Sequence, residues 1–238
     1  MKTTRSLIKQ TYTYKETRGT IISDNMKAIV AAKQAIQEHR RQLEKYILQN
    51  PLFLYSLEPV HLSEGPIVAN KMAEASEKAG VGPMAAVAGV LADLTVNTMI
   101  ATGAKVAVVE DGGEASAISN MPIDIALSAG SNVLSKRLGF RLEHFPIGVA
   151  TSSGKFSHAL SFGDADAVTI FAENAGLADA AATAVGNVVR GNDKTEAIKS
   201  GIHKAMSIEG VKGVFILYDD KVGKAGEIPR IIGIRDTP

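Results

Sequence analysis

The chain has 238 residues, 45% hydrophobic, enough for one large α+β domain spanning 1–238 that folds without covalent staples. Its 26 basic and 25 acidic residues leave a net charge of +1 and interleave along the chain; with no tryptophan and 5% aromatics, both the basic field and the stacking platform of a nucleic-acid binder are missing. Zero cysteines exclude disulfides, thiolate metal sites, iron–sulfur ligation and sulfur carried on this chain, and they fit a reducing, cytoplasmic setting.

The opening residues lack the apolar core of a leader, and no uninterrupted apolar run of about 20 residues suggests a membrane helix. Tyr12, Tyr14 and Ile21-Ile22 fall in an alternating stretch that reads as a strand or hairpin around Gly19. Ser23-Asp24-Asn25 is a cap cluster. Ile29, Ala32, Ile36, Leu43 and Ile47 then keep helical spacing until Asn50-Pro51, which predicts an amphipathic helix over Met26 to Leu48. From Pro51 to Gly65 the chain reads as a linker whose apolar residues Phe53, Leu54 and Leu57 should be packed. The helix Met26 to Leu48 is a candidate homodimer surface, since Tyr46, Phe53 and Leu54 cluster near its end, ordinary core being the other reading.

Pro66 opens a further helix that Ala79-Gly80 closes, and a small-residue helix follows from about Met84 to Ala101. Lys105 to Glu110 is a valine-rich strand, Asp111-Gly112-Gly113 a tight turn, and Ile123 to Leu127 another strand. Strands are predicted near Ile147 to Thr151, His158 to Phe162 and Val168 to Phe171, then an alanine-rich helix from Leu177 to Val189 and a polar one from Thr195 to Ser207. Val214 to Tyr218 and Ile231 to Ile234 close the chain as strands. A mixed or antiparallel sheet flanked by the two alanine-rich helices is the expected architecture.

Asp179 and Thr183 stand four apart on the second alanine-rich helix, so a carboxylate and a hydroxyl share one face and point at a spot where a divalent cation fits. The plainer reading puts Asp179 in its own helix's first turn, held by the helix's positive end, with Thr183 merely tolerated. Gly112-Gly113 after a strand allows close backbone approach to a phosphate or ring, although glycine pairs also simply make turns. Neither standard nucleotide-loop signature, G-x-G-x-x-G after a strand or G-x-x-x-x-G-K-[ST], is present.

Taken in order, Val81-Gly82-Pro83-Met84-Ala85-Ala86-Val87-Ala88-Gly89, Glu110-Asp111-Gly112-Gly113-Glu114, Ala150-Thr151-Ser152-Ser153-Gly154, His158-Ala159-Leu160, Val168-Thr169-Ile170 and Ala178-Asp179-Ala180-Ala181-Ala182-Thr183-Ala184 resemble the motif series of the ApbE-like superfamily. Its best-known members are flavin transferases that cut FAD and attach FMN to a threonine of a target protein. The stretches Leu43 to Ile47, Val81 to Gly89 and Thr151 to Gly163 resemble still more closely its functionally uncharacterised branch, which has been linked to sulfur amino-acid assimilation.

The resemblance implies Mg²⁺ held by Asp179, Thr183 and the carbonyl of Val87, with His158 as base or phosphate contact. It also implies a flavin beside Gly112, Gly113 and Glu114, with Thr151, Ser152, Ser153 and Gly154 lining the site. The chain departs from the family pattern at Ala88, where the family has lysine, at Gly82, where it has aspartate, and at Ser161-Phe162-Gly163-Asp164, which replaces Asp-Pro-Arg-Thr-Gly. Phosphoryl transfer depends on positioning and charge neutralisation, so these losses weigh against FMN transfer, with Lys155 or Arg137 as the available replacement cations. Three readings follow: Mg²⁺-dependent FAD cleavage or FMN transfer, a non-catalytic accessory protein that binds a flavin or another phosphorylated metabolite, and a vestigial pocket between closely packed helices.

Overall fold

In a computed structural model, which describes residues 7–15, 17–127, 129, 132, 134–135, 137–153 and 163–234, an eight-stranded sheet carries helices on one face and a three-stranded sheet on the other. The large sheet runs in the spatial order β1 (Ile8–Tyr14), β2 (Thr17–Ser23), β3 (Val106–Asp111), β4 (Glu114–Ser119), β7 (Ile147–Ser152), β8 (Ala167–Ala172), β9 (Val211–Tyr218) and β10 (Lys221–Gly226). Every pairing in it is antiparallel. In the small sheet, β6 (Leu138–Leu142) lies between β11 (Arg230–Gly233) and β5 (Ile123–Ala126), again antiparallel.

Strand alternation decides which residues meet which layer. In β3, Val106 and Val108 face the small sheet, where Phe140 meets Phe171 and Phe215 edge-on at 4.9 and 5.4 Å, whereas Ala107 and Val109 face the helices. On the helical side, α1 (Met26–Gln49) is capped by Asn25, which accepts the Lys27 amide, and buries Ala28, Ile29, Ala32, Ile36 and Leu43 as one stripe. Next come α2 (Pro51–Tyr55) and α3 (Ile67–Ala79), the latter ending on the left-handed Gly80. A 3₁₀ turn, Pro83–Ala86, leads into α4 (Val87–Ala101), and the later helices are α5 (Ala175–Val188) and α6 (Lys194–Met206).

Contrary to the composition reading, Pro83–Ala101, at 19 residues, is long and apolar enough to cross a membrane. It is a core helix: Gly89, Val90, Leu91, Ala92, Thr95, Val96 and Met99 are buried, and α1 and α5 pack against it. That burial on more than one side accounts for its apolarity.

Other expectations shift in detail. The first hairpin turns at Lys15, not Gly19; Gly19 lies within β2, where a Cβ would stand 1.9 Å from the Glu110 carbonyl oxygen of β3. The supposed linker after Pro51 starts with α2. There Phe53 is core, edge-on to Tyr46 at 5.3 Å, while Leu57 is exposed, so Tyr46 and Phe53 are used up within the fold. Three strands fall outside the sequence expectations: β4 and β10, whose small or charged residues carry little apolar alternation, and β6, whose alternation of Leu138, Phe140 and Leu142 spans only five residues. The strand expected over His158 to Phe162 lies outside the described residues.

Candidate functional site

Helices α4 and α5 cross where neither has a side chain to hold them apart. A Cβ on Gly89 would lie 2.1 Å from the Ala175 carbonyl oxygen, and one on Gly176 would lie 2.5 Å from Val90 Cγ2. Two carboxylates use that closeness. Asp179, on α5, accepts the amide of Gly89 at 3.0 Å and that of Ala88. These are first-turn donors of α4, which has no side-chain cap of its own at Ala86. Asp93, on α4, accepts the Ala175 and Gly176 amides at the start of α5 at 3.0 and 2.8 Å, together with the Ser116 hydroxyl of β4 at 2.7 Å. Each helix therefore supplies an acid to the N-terminus of the other.

This arrangement revises the plainer reading of Asp179. Helix α5 starts at Ala175 with Asn174 as its cap, so Asp179 sits one turn further in, and the amides that stabilise it belong to α4. It is enclosed by protein yet keeps partial contact with solvent, as a group lining a cleft would. Thr183 follows one turn later on α5, also partly exposed, and Val87 is the first residue of α4, in the same turn as the Gly89 amide.

Two further acids face the same place. The β3–β4 turn is made by Gly112 and Gly113, whose φ angles of 71° and 125° favour glycine. Alternation sends Asp111 and Glu114, on either side of this turn, to the helical face. Burial first, then the Asp179 and Asp111 charges, push the Glu114 carboxyl far above its ordinary range. Asp179 is likewise raised, by burial and by Asp111, with the Gly89 amide pulling the other way. Burial and the neighbouring Glu110 lift Asp111 to about 6. Four carboxylates thus crowd one end of the sheet.

On the opposite face of that end, a cavity of ≈ 290 Å³ opens between the two sheets. Phe140, Val108, Val149 and Ile125 form its apolar walls; Lys9, Glu110, Asp124, Thr151 and Thr169 give it polar edges, with the two threonine hydroxyls 3.0 Å apart. Gly113 lines it, and a Cβ there would be 3.7 Å from the Thr151 carbonyl oxygen. Glu114, the next residue, lies on the helical face, where the Asp179 charge acts on it. The glycine turn is therefore the junction between cavity and acidic cluster.

The structure accordingly brings Gly113 and Thr151 together on the cavity face, and Glu114 to the helical face with Asp179. Ser152 follows Thr151 on the helical face, Gly112 is at the exposed tip of the turn, and Ser153 ends the described part of this segment. Gly154, Lys155 and His158 lie outside the described residues. Arg137 is exposed before β6, its carbonyl accepting the Ile234 amide. Among the described residues, no three His, Asp or Glu side chains converge in a metal-binding group. A cation here would need the Thr183 hydroxyl, a carbonyl, waters or ligand phosphates, the oxygen-rich and partly hydrated set that suits Mg²⁺. Sequence reasoning missed Asp93, although it is the lone charged residue in α4, and it missed the pairing of Glu110 and Asp111 across the two faces.

A protein-family model described as "AbpE bacteria" matches residues 10–208. A UPF0280 protein of Methanococcus vannielii is 41% identical over 231 residues, 95% of this chain and 93% of that protein. The apo flavinyl transferase ApbE of Pseudomonas stutzeri superposes with a TM-score of 0.62 at 14% identity, covering 93% of this chain and 94% of the other. An ApbE protein of Thermotoga maritima gives the same TM-score at 13% identity, covering 92% and 97%. At such identities the structures establish a shared fold, while the family match and the relative establish kinship: the chain belongs to the AbpE family, in the branch of the UPF0280 proteins, and is built on the ApbE fold.

Proposed function

We propose that the chain binds FAD or FMN, or a phosphorylated metabolite of similar form, with Mg²⁺ at Asp179. One observation carries this reading. The inter-sheet cavity and the acidic cluster meet at the Gly112-Gly113 turn, so a ligand with a ring in the cavity has its phosphates delivered to the carboxylates. Carboxylates facing incoming phosphates need an intervening cation. Asp179, Thr183 and the Val87 carbonyl are the proposed protein ligands, and the bound ion would neutralise and polarise a pyrophosphate. Thr151 and Gly113 would contact the ring side, and His158 is the proposed proton acceptor.

The test is incubation with FAD and Mg²⁺. Cleavage releases AMP, and Asp179→Ala should reduce that release to background. The absence of AMP with any divalent ion rules cleavage out. A second reading, binding without turnover as an accessory factor, is favoured by Ala88, since the family lysine at this position would have supplied a cation beside Asp179. Under it, FAD with Mg²⁺ raises the thermal midpoint with no product formed, and the absence of any shift removes both readings. We also propose a homodimer through the exposed Leu48, Leu52 and Tyr55 at the α1–α2 corner; a monomer in sedimentation at micromolar concentration would refute it.

A further inference from the structure

Asp93 supplies nothing to the proposed ligand set, yet it is bonded to the elements that do. Its carboxylate sits on α4, which carries Val87 and Gly89; it accepts two amides of α5, which carries Asp179 and Thr183; and it accepts Ser116 of β4, which opens with Glu114 on the same face. Asn174 already caps α5 by accepting the Leu177 amide at 2.8 Å, so the bonds to Asp93 reach beyond the needs of a local cap. At the crossing, Gly89 and Gly176 offer no side chain as a spacer. The separation of the two helices there is accordingly governed by hydrogen bonds more than by bulk, and a half-buried carboxylate with three donors is a stiff tether.

We propose that Asp93 is a positioning residue for the metal site, fixing α5 against α4 and β4 so that Asp179 and Thr183 meet the cation at the right distance. The inference rests on the metal reading above. Asp93→Asn preserves shape but turns an amide N–H₂ towards one of the three donors, which leaves that contact repulsive. Mn²⁺ alone, followed by its EPR signal in titrations of the full chain, is the probe.

Asp93→Asn should weaken Mn²⁺ binding about tenfold or more, as loss of a group orienting metal ligands does. Ser116→Ala, which removes one bond and leaves no charge unpaired, should weaken it about threefold and serves if Asp93→Asn does not fold. Met99→Ala, in the buried far half of α4, should lower the thermal midpoint at least as much yet change Mn²⁺ affinity less than about twofold. If Asp93→Asn and Ser116→Ala weaken binding no more than Met99→Ala, the inference is overturned while the metal reading stands. If the wild type binds no Mn²⁺, the metal reading itself fails and takes this inference with it.

Discussion

A carboxylate in the position of Asp179 is held by two backbone amides and opposed by two neighbouring acids. Burial, joined by that opposition, prevails: the carboxyls of Asp179, Glu114 and Asp111 are all raised above their ordinary values. Such groups bind a proton more tightly folded than unfolded. The stability they contribute is therefore fully present below the unfolded values of 3.8 and 4.5 and is lost as pH rises through the raised ones, about 6 for Asp111 and higher still for Asp179 and Glu114. In metal-free buffer, stability to urea should fall by about 1–3 kcal/mol between pH 4 and pH 8 on this account. A divalent cation replaces the missing protons, so the stabilisation by Mg²⁺ should grow over the same interval. A stability that rises with pH, or a Mg²⁺ effect indifferent to it, would contradict this picture.

Between elements, what matters is how closely α4 and α5 approach. Gly89→Ala puts a Cβ against the Ala175 carbonyl, backbone that cannot swing aside, and should cost about 1–3 kcal/mol in urea unfolding. It should also weaken Mg²⁺ binding by pushing the α4 amides off Asp179. A variant as stable as wild type would show that the crossing has slack. The small side chains of both helices were legible in the sequence, and close packing follows from them. Which residues cross was not: alanine-rich helices have no bulky stripe to fix the contact face, and mutual capping by Asp93 and Asp179 depends on residues about 80 to 90 positions apart. The spacing of Asp179 and Thr183 gave a shared face without revealing that the donors on it come from another helix.

Over the molecule as a whole, helical period and caps marked the longer helices, and continuous apolar runs marked β3 and β8, because burial writes itself into the pattern of apolar residues. Of the small sheet, β5 and β11 fall on stretches expected as strands, whereas β6 does not. β6 has five residues, too few for its alternation of Leu138, Phe140 and Leu142 to stand out, and its Phe140 helps wall the cavity. The fold class was recoverable from the order of motifs spread from Val81 to Val189, while the cavity was not, since its lining comes from eight strands scattered over the chain. The whole account turns on one cation at the junction of cavity and crossing. The most direct measurement is a crystal soaked in Mn²⁺ and read by anomalous scattering. One peak within coordinating distance of Asp179 and Thr183, lost in Asp179→Ala, is the expected result; a saturated crystal with no peak there, or with its peak unchanged in that variant, would contradict the account.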